Sequence, residues 1–285
     1  MPNPPGGTAP TGPMQTHLLI FREIVRILSS HRQLAWEMTK REITDRYAGQ
    51  AIGVVWAIGH PLILMAVFVF IFAFVFRQKI GGTVDLPLDY TTYILCGLIP
   101  WMSFQESMNK AAAVIVGHSG LVKQVVFPLE ILPVKVVIAS CLSQVVAVPI
   151  LIVYVLVTHG SVPASYLLIP VIFLVQVVAM VGMAFLLAAV GTYFRDVKDF
   201  VQVFCVIGMY VMPIFYLPAQ VPAVFRPVLY LNPFSYMIWC YQDVFYFGRF
   251  EHGWAWAVYV TGSLLLFYAG YRVFRKLKLY FGNVL

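Results

Sequence analysis

AIGVVWAIGHPLILMAVFVFIFAFVF, at residues 51–76, is the stretch that decides the fold class of this 285-residue chain. It contains sixteen Val, Ile, Leu or Phe residues, and its one ionisable side chain is His60. At about 0.3 to 0.6 kcal/mol for each such residue, insertion into a bilayer is favoured by roughly 5 to 10 kcal/mol. A helix of this length also spans the hydrocarbon core, which is about 30 Å thick. The stretch therefore predicts a membrane-spanning helix.

The rest of the chain has the same character, since 61% of its residues are hydrophobic and only 11% are charged. Five further candidate spans follow, at about residues 90–104, 131–157, 166–194, 200–217 and 254–274. The second is short for the roughly 20 residues that a span needs, so we expect it to continue past Gln105 and Glu106 to near Val116. Long apolar runs favour helices over a barrel of alternating strands. The sequence predicts an all-α integral membrane protein with about six transmembrane helices in the inner membrane of a bacterium.

The region before the first span divides into two parts. Residues 1–16 are rich in Pro and Gly, lack the order of a secretory signal, and are expected to be a disordered tail. Residues 17–48 are expected to form cytoplasmic amphipathic interface helices, with a second segment at 34–47. The apolar face of the first helix is formed by Leu18, Phe21, Val25 and Leu28, opposite Arg22, Glu23 and Arg26. Residues 49–285 then form the transmembrane domain.

The basic residues predict the orientation of the chain. With the N-terminus inside, fifteen of the nineteen Lys and Arg residues lie on the cytoplasmic side. The outer side contains only Arg77, Lys79, Arg226 and Arg249. By the positive-inside rule, both termini are expected to face the cytoplasm, and the net charge of +7 does not require nucleic acid as a partner.

One apolar stretch, at about residues 218–249, is too interrupted for a simple span. It contains Pro218, Pro222, Pro227 and Pro233. Irregular backbone at membrane depth persists only where protein or a water-filled cavity covers it. We therefore expect a re-entrant segment on the outer side that borders a pathway, with a partly ordered outer loop as the alternative.

Motifs for chemistry are missing from the sequence. There is no GxxxxGK[ST] loop for nucleotide phosphates, no HExxH and no pair of carboxylates within one span. Lys135 enters a span close to its cytoplasmic end, and we expect its amine to reach the cytoplasmic surface. Gln144, Gln176 and Gln202 are expected to join helices by hydrogen bonds. The four cysteines are isolated in apolar stretches and are interpreted as small buried hydrophobes.

Several segments together resemble the membrane subunits of ATP-binding-cassette (ABC) exporters of polysaccharide, which secrete O-antigen, teichoic acid and related polymers. These segments are LAWEMTKREITDRY (34–47), GVVWAIGHP (53–61), FPLEILP (127–133), FRDV (194–197) and LNPF (231–234). Where this chain has His60 before Pro61, the family usually has Asn.

The resemblance implies that this chain binds no cofactor, while ATP and Mg²⁺ bind to a separate ATPase subunit. It also implies that two copies of the chain enclose a channel for a lipid-linked polysaccharide and work with two ATPase subunits. The residues that the resemblance places on the ATPase-facing surface are Glu37, Lys40, Arg41, Lys123, Phe127, Glu130, Arg195 and Asp196.

Aromatic side chains are dense in the outer part of the chain, and two interpretations of them stay open. Tyr and Trp favour the membrane interface, so they could form an ordinary aromatic belt. The alternative is that flat rings line a conduit and stack weakly on sugar faces, so that a polymer can slide. The candidate channel rings are Tyr210, Phe215, Tyr216, Tyr230, Phe234, Tyr236 and Trp239.

Two other functions compete with polysaccharide export at this stage. The first is a permease for a small amphiphile or drug, which keeps the protein class and changes the cargo. The second is a membrane enzyme that acts on polyprenyl-linked sugars. Its acid or base would come from Glu130, Asp196, Asp199 or Asp243.

Overall fold

The computed structural model describes residues 26, 29–50, 53–75, 87–123 and 127–285, and these residues contain helices and no β-strand. The α-helices of six or more residues are numbered α1 to α9 in chain order. They are α1 (Arg32–Tyr47), α2 (Trp56–Val69), α3 (Tyr90–Ala111), α4 (Ile131–His159), α5 (Ile169–Tyr193), α6 (Val197–Val211), α7 (Arg226–Leu231), α8 (Pro233–Gln242) and α9 (Gly253–Leu277). Three features named above lie wholly or almost wholly outside the described residues. They are the predicted tail at 1–16, the helix at 18–28, and the pair Arg77 and Lys79.

Shorter helical turns connect these helices. The π-helical turns are Phe70–Val75 and Asp243–Phe247. The 3-10 turns are Gly53–Val55, Val116–His118, Ala164–Leu168, Pro218–Gln220 and Lys278–Tyr280. Single α-turns occur at Ser119–Val122 and Phe281–Val284.

Three helices of the described residues are long and apolar enough to cross a membrane. They are Ile131–His159, Ala164–Tyr193 and Gly253–Val284, each counted with its adjoining turns, and Trp56–Phe72 is a shorter apolar helix. The structure thus confirms an all-helical protein with long apolar helices, while the count of six spans stays a prediction.

The long helices run between the same two ends of the structure. At one end, Asp89 before α3 contacts His159 at the end of α4 at 2.9 Å, and Tyr166 before α5 donates to the Phe245 carbonyl at 3.0 Å. At the other end, Tyr193 at the end of α5 donates to the Leu277 carbonyl of α9 at 3.1 Å. Helices α3, α4 and α5 therefore alternate in direction, whereas α5 and α9 run parallel because both end at the same side. We call the end that contains Tyr193 the inner end.

Helix α3 occupies the centre of the fold. It continues through Gln105 and Glu106, as expected, and ends at Ala111. Its first residues are capped by Asp89, whose side chain accepts from the Thr92 backbone N–H at 3.3 Å. Residues 91–101 are all buried, because α3 packs against α4, α5 and α8. This burial explains how a helix of modest hydropathy can lie within an apolar protein.

Glycines set the distance between α5 and α9, which make the most extensive helix pair. A Cβ on Gly182 would lie 2.5 Å from the Phe267 backbone, and a Cβ on Gly270 would overlap the Gly182 carbonyl. The two backbones touch because both positions lack a side chain. Small residues serve the same purpose in other membrane helix pairs.

Buried glutamines connect four helices, and two of the three glutamines that were expected to join helices do so. Gln144 of α4 donates to Gln176 of α5 at 2.9 Å and to the Tyr241 hydroxyl of α8 at the same distance. Gln176 also donates to the Pro100 carbonyl at 3.1 Å. Gln202 is exposed on α6 instead. All four cysteines are buried and free.

The interrupted segment at 218–249 forms α7, α8 and a π-helical turn. Phe234, at the start of α8, packs edge-on against Phe104 at 5.2 Å between ring centroids. At the far end of the segment, Tyr246 donates to the Leu88 carbonyl at 2.9 Å. The segment therefore extends from the middle of α3 back to the outer end of that helix.

Candidate functional site

Helix α1 docks on α4 through a face of mixed apolar and polar side chains. The residues that point toward the helical bundle are Ala35, Thr39, Glu42 and Arg46, whose spacing places them on one side of the helix. Met38 on the same side is partly buried and packs against the core, so the docked face of this segment combines apolar and charged side chains. The attachment of α1 therefore combines apolar packing with ion pairs.

Five charged residues form what we call the ion cluster: Glu42, Arg46, Glu106, Lys110 and Lys135. Glu42 contacts the Lys135 amine at 3.1 Å and the Lys110 amine at 3.5 Å. Glu106 contacts Lys110 at 3.3 Å and is also paired with Arg46. Arg46 further donates to the Ala139 carbonyl at 3.3 Å. The cluster joins α1 to α3 and α4 at the inner end.

The burial of Lys135 contradicts one prediction from the sequence. Its amine was expected to reach the cytoplasmic surface, but the residue is only 4% exposed. The amine instead contacts Glu42 and lies 2.9 Å from His118 Nε2, while His118 Nδ1 contacts the Val114 carbonyl at 2.8 Å. A buried cation is stable where a carboxylate and hydrogen-bond acceptors compensate for lost water.

Sequence reasoning missed the cluster, although a signal was present. Glu42 and Arg46 are four residues apart, as are Glu106 and Lys110. Each pair places opposite charges on one face of a helix. Together with a lysine inside a span, these pairs point to a shared ionic contact between helices.

The carboxylate of Glu42 is perturbed by its neighbours. Burial by itself raises the pKa of Glu42, but the hydrogen bond and charge of Lys135, together with those of Lys110, lower it by more. The net effect is a pKa below the ordinary value. Glu42 is therefore ionised in the folded protein at neutral pH, and its charge favours docking of α1.

Most residues predicted to face an ATPase lie on the surface at the inner end. On α1, Glu37, Lys40 and Arg41 are exposed on the side opposite the ion cluster. The exposed residues also include Lys123, Arg195 and Asp196, while Phe127 is half-buried.

Glu130 is placed differently from the other predicted surface residues. It is 2% exposed and forms an ion pair with Lys278, just beyond α9. Its carboxylate therefore fixes the start of α4 to the end of α9 and is not part of the exposed surface.

The candidate channel rings separate into exposed and buried groups. Tyr210 is 62% exposed and Tyr230 is 46% exposed. Phe234 and Trp239 are 8% and 1% exposed, so these two rings pack inside the chain. Phe215, Tyr216 and Tyr236 are half-buried.

Two aromatic clusters contain most of these rings. Phe215 packs near Tyr210 at 5.7 Å between ring centroids and near Phe72 at 6.5 Å. Tyr236 and Trp239 both contact Trp254, at 5.3 Å each.

The carboxylates proposed for an enzyme are not assembled into one site. Asp243 is buried in the outer part of the structure, where it accepts from the His252 backbone N–H at 3.0 Å and from Trp256 Nε1 at 3.1 Å. Glu130 is paired with Lys278 at the inner end. Asp196 and Asp199 are exposed near the start of α6. These placements favour structural roles for the two buried carboxylates.

Comparison with known proteins agrees with this arrangement. An O-antigen export system permease protein of Klebsiella pneumoniae is 28% identical over 250 residues, which cover 87% of this chain and 93% of that protein. A protein of the same description from Myxococcus xanthus is 27% identical over 256 residues, covering 89% and 95%. The family model described as "ABC-2 type transporter" matches residues 33–246. This chain therefore belongs to the ABC-2 type transporter family.

Proposed function

We propose that this chain is the membrane permease subunit of an ABC transporter that exports a lipid-linked polysaccharide across the bacterial inner membrane. The observation that carries the proposal is similarity over nearly the whole chain to permeases described as O-antigen exporters. The family match also covers both α1 and the interrupted segment, two features that distinguish this chain from a plain helical bundle.

The energy for export comes from a separate ATPase subunit, which binds ATP and Mg²⁺. Two observations support a docking surface for this subunit at the inner end. Helix α1 presents Glu37, Lys40 and Arg41 outward, and its opposite face is fixed to α3 and α4 by the ion cluster. A push on the exposed face of α1 is transmitted to both of these helices, because the partly buried ion pairs of the cluster hold the three helices together.

The proposed assembly contains two copies of this chain and two ATPase subunits. Each copy contributes six spans, formed by α2, α3, α4, α5, α6 and α9, with both termini in the cytoplasm. The segment at 218–249 is re-entrant from the outer side, which agrees with its contacts from the middle of α3 to Leu88. Among the candidate rings, Tyr210 and Tyr230 have exposed faces available to a polymer.

Deletion of the gene in its own bacterium tests this function. We expect the polysaccharide to be synthesised but to accumulate on its lipid carrier at the inner face of the membrane. Extraction of the lipid-linked polymer and antibody staining of intact cells measure the two pools. Restoration by the wild-type chain is the control. Normal surface polymer in the deletion strain would contradict polysaccharide export and would favour a small amphiphile as the cargo.

A further inference from the structure

A cavity of about 730 Å³ lies between α1, α2, α3 and α4. Its volume is within the range of roughly 300 to 1,000 Å³ that is typical of small-molecule sites. Its lining includes charged residues of the ion cluster at one end, namely Arg46, Glu106 and Lys110. The proposed conduit rings are not part of this lining.

The cavity is amphipathic along its length. Apolar lining residues include Leu64 and Met65 of α2 and Ile99 and Met102 of α3. Ile99 and Lys110 are eleven positions apart on one helix, which corresponds to about 16 Å. A ligand that fills the cavity must therefore combine a polar group at the inner end with an apolar chain that extends about halfway into the hydrocarbon core.

The charges at the polar end favour an anion. The ion cluster at this end has a net charge of +1, because Arg46, Lys110 and Lys135 are positive and Glu42 and Glu106 are negative. The same region contains hydrogen-bonding groups that the protein leaves unused in the residues described. Arg46 Nε is a buried donor without a partner, and Asn109 Oδ1 is a buried acceptor without a partner. Both residues line the cavity.

We propose that this cavity binds one phospholipid whose headgroup is anionic and carries hydroxyls, with phosphatidylglycerol as the chemical class. The phosphate supplies acceptors for the guanidinium of Arg46, and a headgroup hydroxyl supplies a donor for Asn109. An acyl chain covers the apolar wall formed by α2 and α3. A bound lipid of this kind links α1 to α2 and α3 beside the ion cluster.

The test measures lipid retention by the purified chain with native mass spectrometry after addition of phosphatidylglycerol or phosphatidylethanolamine. Ala57→Phe places a ring in the cavity, since Ala57 is one of its lining residues. Ala66→Phe is the matched control, because Ala66 is exposed on the same helix and is not among the residues that line the cavity. We expect about tenfold less retained phosphatidylglycerol in Ala57→Phe only.

A second variant tests how the cavity recognises the lipid headgroup. This variant does not require the protein to accommodate a large ring. Asn109→Leu should reduce retained phosphatidylglycerol severalfold, because a headgroup hydroxyl loses its acceptor. Equal retention in Ala57→Phe and Ala66→Phe, or no preference in the wild type, would overturn the proposal. Displacement of phosphatidylglycerol by an equimolar polyprenyl phosphate would also overturn it. Lipid binding is measured without transport, so the result is independent of the exported cargo.

Discussion

At the scale of single residues, the contact between Glu42 and Lys135 decides how α1 is attached. Lys135 is nearly fully buried, while Glu42 is partly buried on the docked face of α1. A buried charge that loses its partner costs more than the pair contributes, because the remaining ion has lost its water. The two single substitutions and the double substitution therefore have different expected effects.

Lys135→Met should destabilise the protein by on the order of 1 to 2 kcal/mol, because the partly buried Glu42 carboxylate loses its nearest cation but keeps Lys110 at 3.5 Å. The double variant Glu42→Gln/Lys135→Met should recover a large part of this loss. Thermal unfolding in detergent, monitored by the intensity of the helical circular dichroism signal, measures both. A double variant less stable than Lys135→Met would show that the two residues do not act as a pair.

The lowered pKa of Glu42 gives a pH dependence with a defined sign. A carboxyl group with a lowered folded-state pKa stabilises the protein above the ordinary Glu pKa of 4.5, and this stabilisation is lost as the pH falls through the lower folded value. The difference in melting temperature between wild type and Glu42→Gln should therefore be largest near pH 7 and decrease progressively as the pH falls below 4.5. A difference that is constant from pH 7 to 4 would contradict the assignment.

At the scale of elements, two kinds of helix contact occur in one chain. Helices α5 and α9 touch through glycines in an apolar setting, where close backbone approach gives van der Waals packing. Helix α1 instead contacts α4 through charges at the inner end. The glycine contact between α5 and α9 does not depend on charge. The strength of the ionic contact between α1 and α4 depends on pH and salt to the extent that water reaches the charges.

Gly182→Ala and Gly270→Ala should each destabilise the protein by about 1 to 3 kcal/mol, because the added methyl group would overlap the backbone of the facing helix. Gly262→Ala is the matched control on α9, since a Cβ there has nothing within 4 Å. It should be neutral or stabilising by up to about 1 kcal/mol. Equal melting temperatures for all three variants would contradict the close contact of α5 and α9.

Because the exposed face of α1 is the proposed docking surface, we predict that a charge change there weakens binding of the ATPase subunit. Lys40→Glu changes charge on this face without touching the ion cluster, so it should weaken co-purification of the ATPase subunit at least severalfold at unchanged melting temperature. Glu251→Lys, an exposed charge reversal in the outer part of the structure, is the control. Full co-purification of the ATPase with Lys40→Glu would exclude this face of α1 as a docking surface.

At the scale of the whole molecule, the distribution of charge predicts the orientation in the membrane. The four native cysteines are buried, which allows single introduced cysteines to report the sidedness. A membrane-impermeant maleimide added to intact cells should label Val224→Cys, whose native side chain is 82% exposed. Lys276→Cys should react only after the membrane is permeabilised. Labelling of Lys276→Cys in intact cells would invert the proposed orientation.

The sequence by itself determined the membrane class, the helical nature of the chain and the absence of a nucleotide-binding loop. These properties follow from local features, since long apolar runs and missing motifs need no knowledge of neighbours. The extension of α3 through Gln105 and Glu106 and the joining of Gln144 with Gln176 were also predicted correctly.

Only the tertiary structure decided which charged and aromatic side chains are buried. Lys135 and Glu130 each find an opposite charge that is far away in sequence, at Glu42 and Lys278. Phe234 and Trp239 are interior rings, although their sequence context resembles that of the exposed Tyr230. Burial depends on which helices pack together, and a contact across 93 or 148 positions leaves no periodic signal in either segment alone.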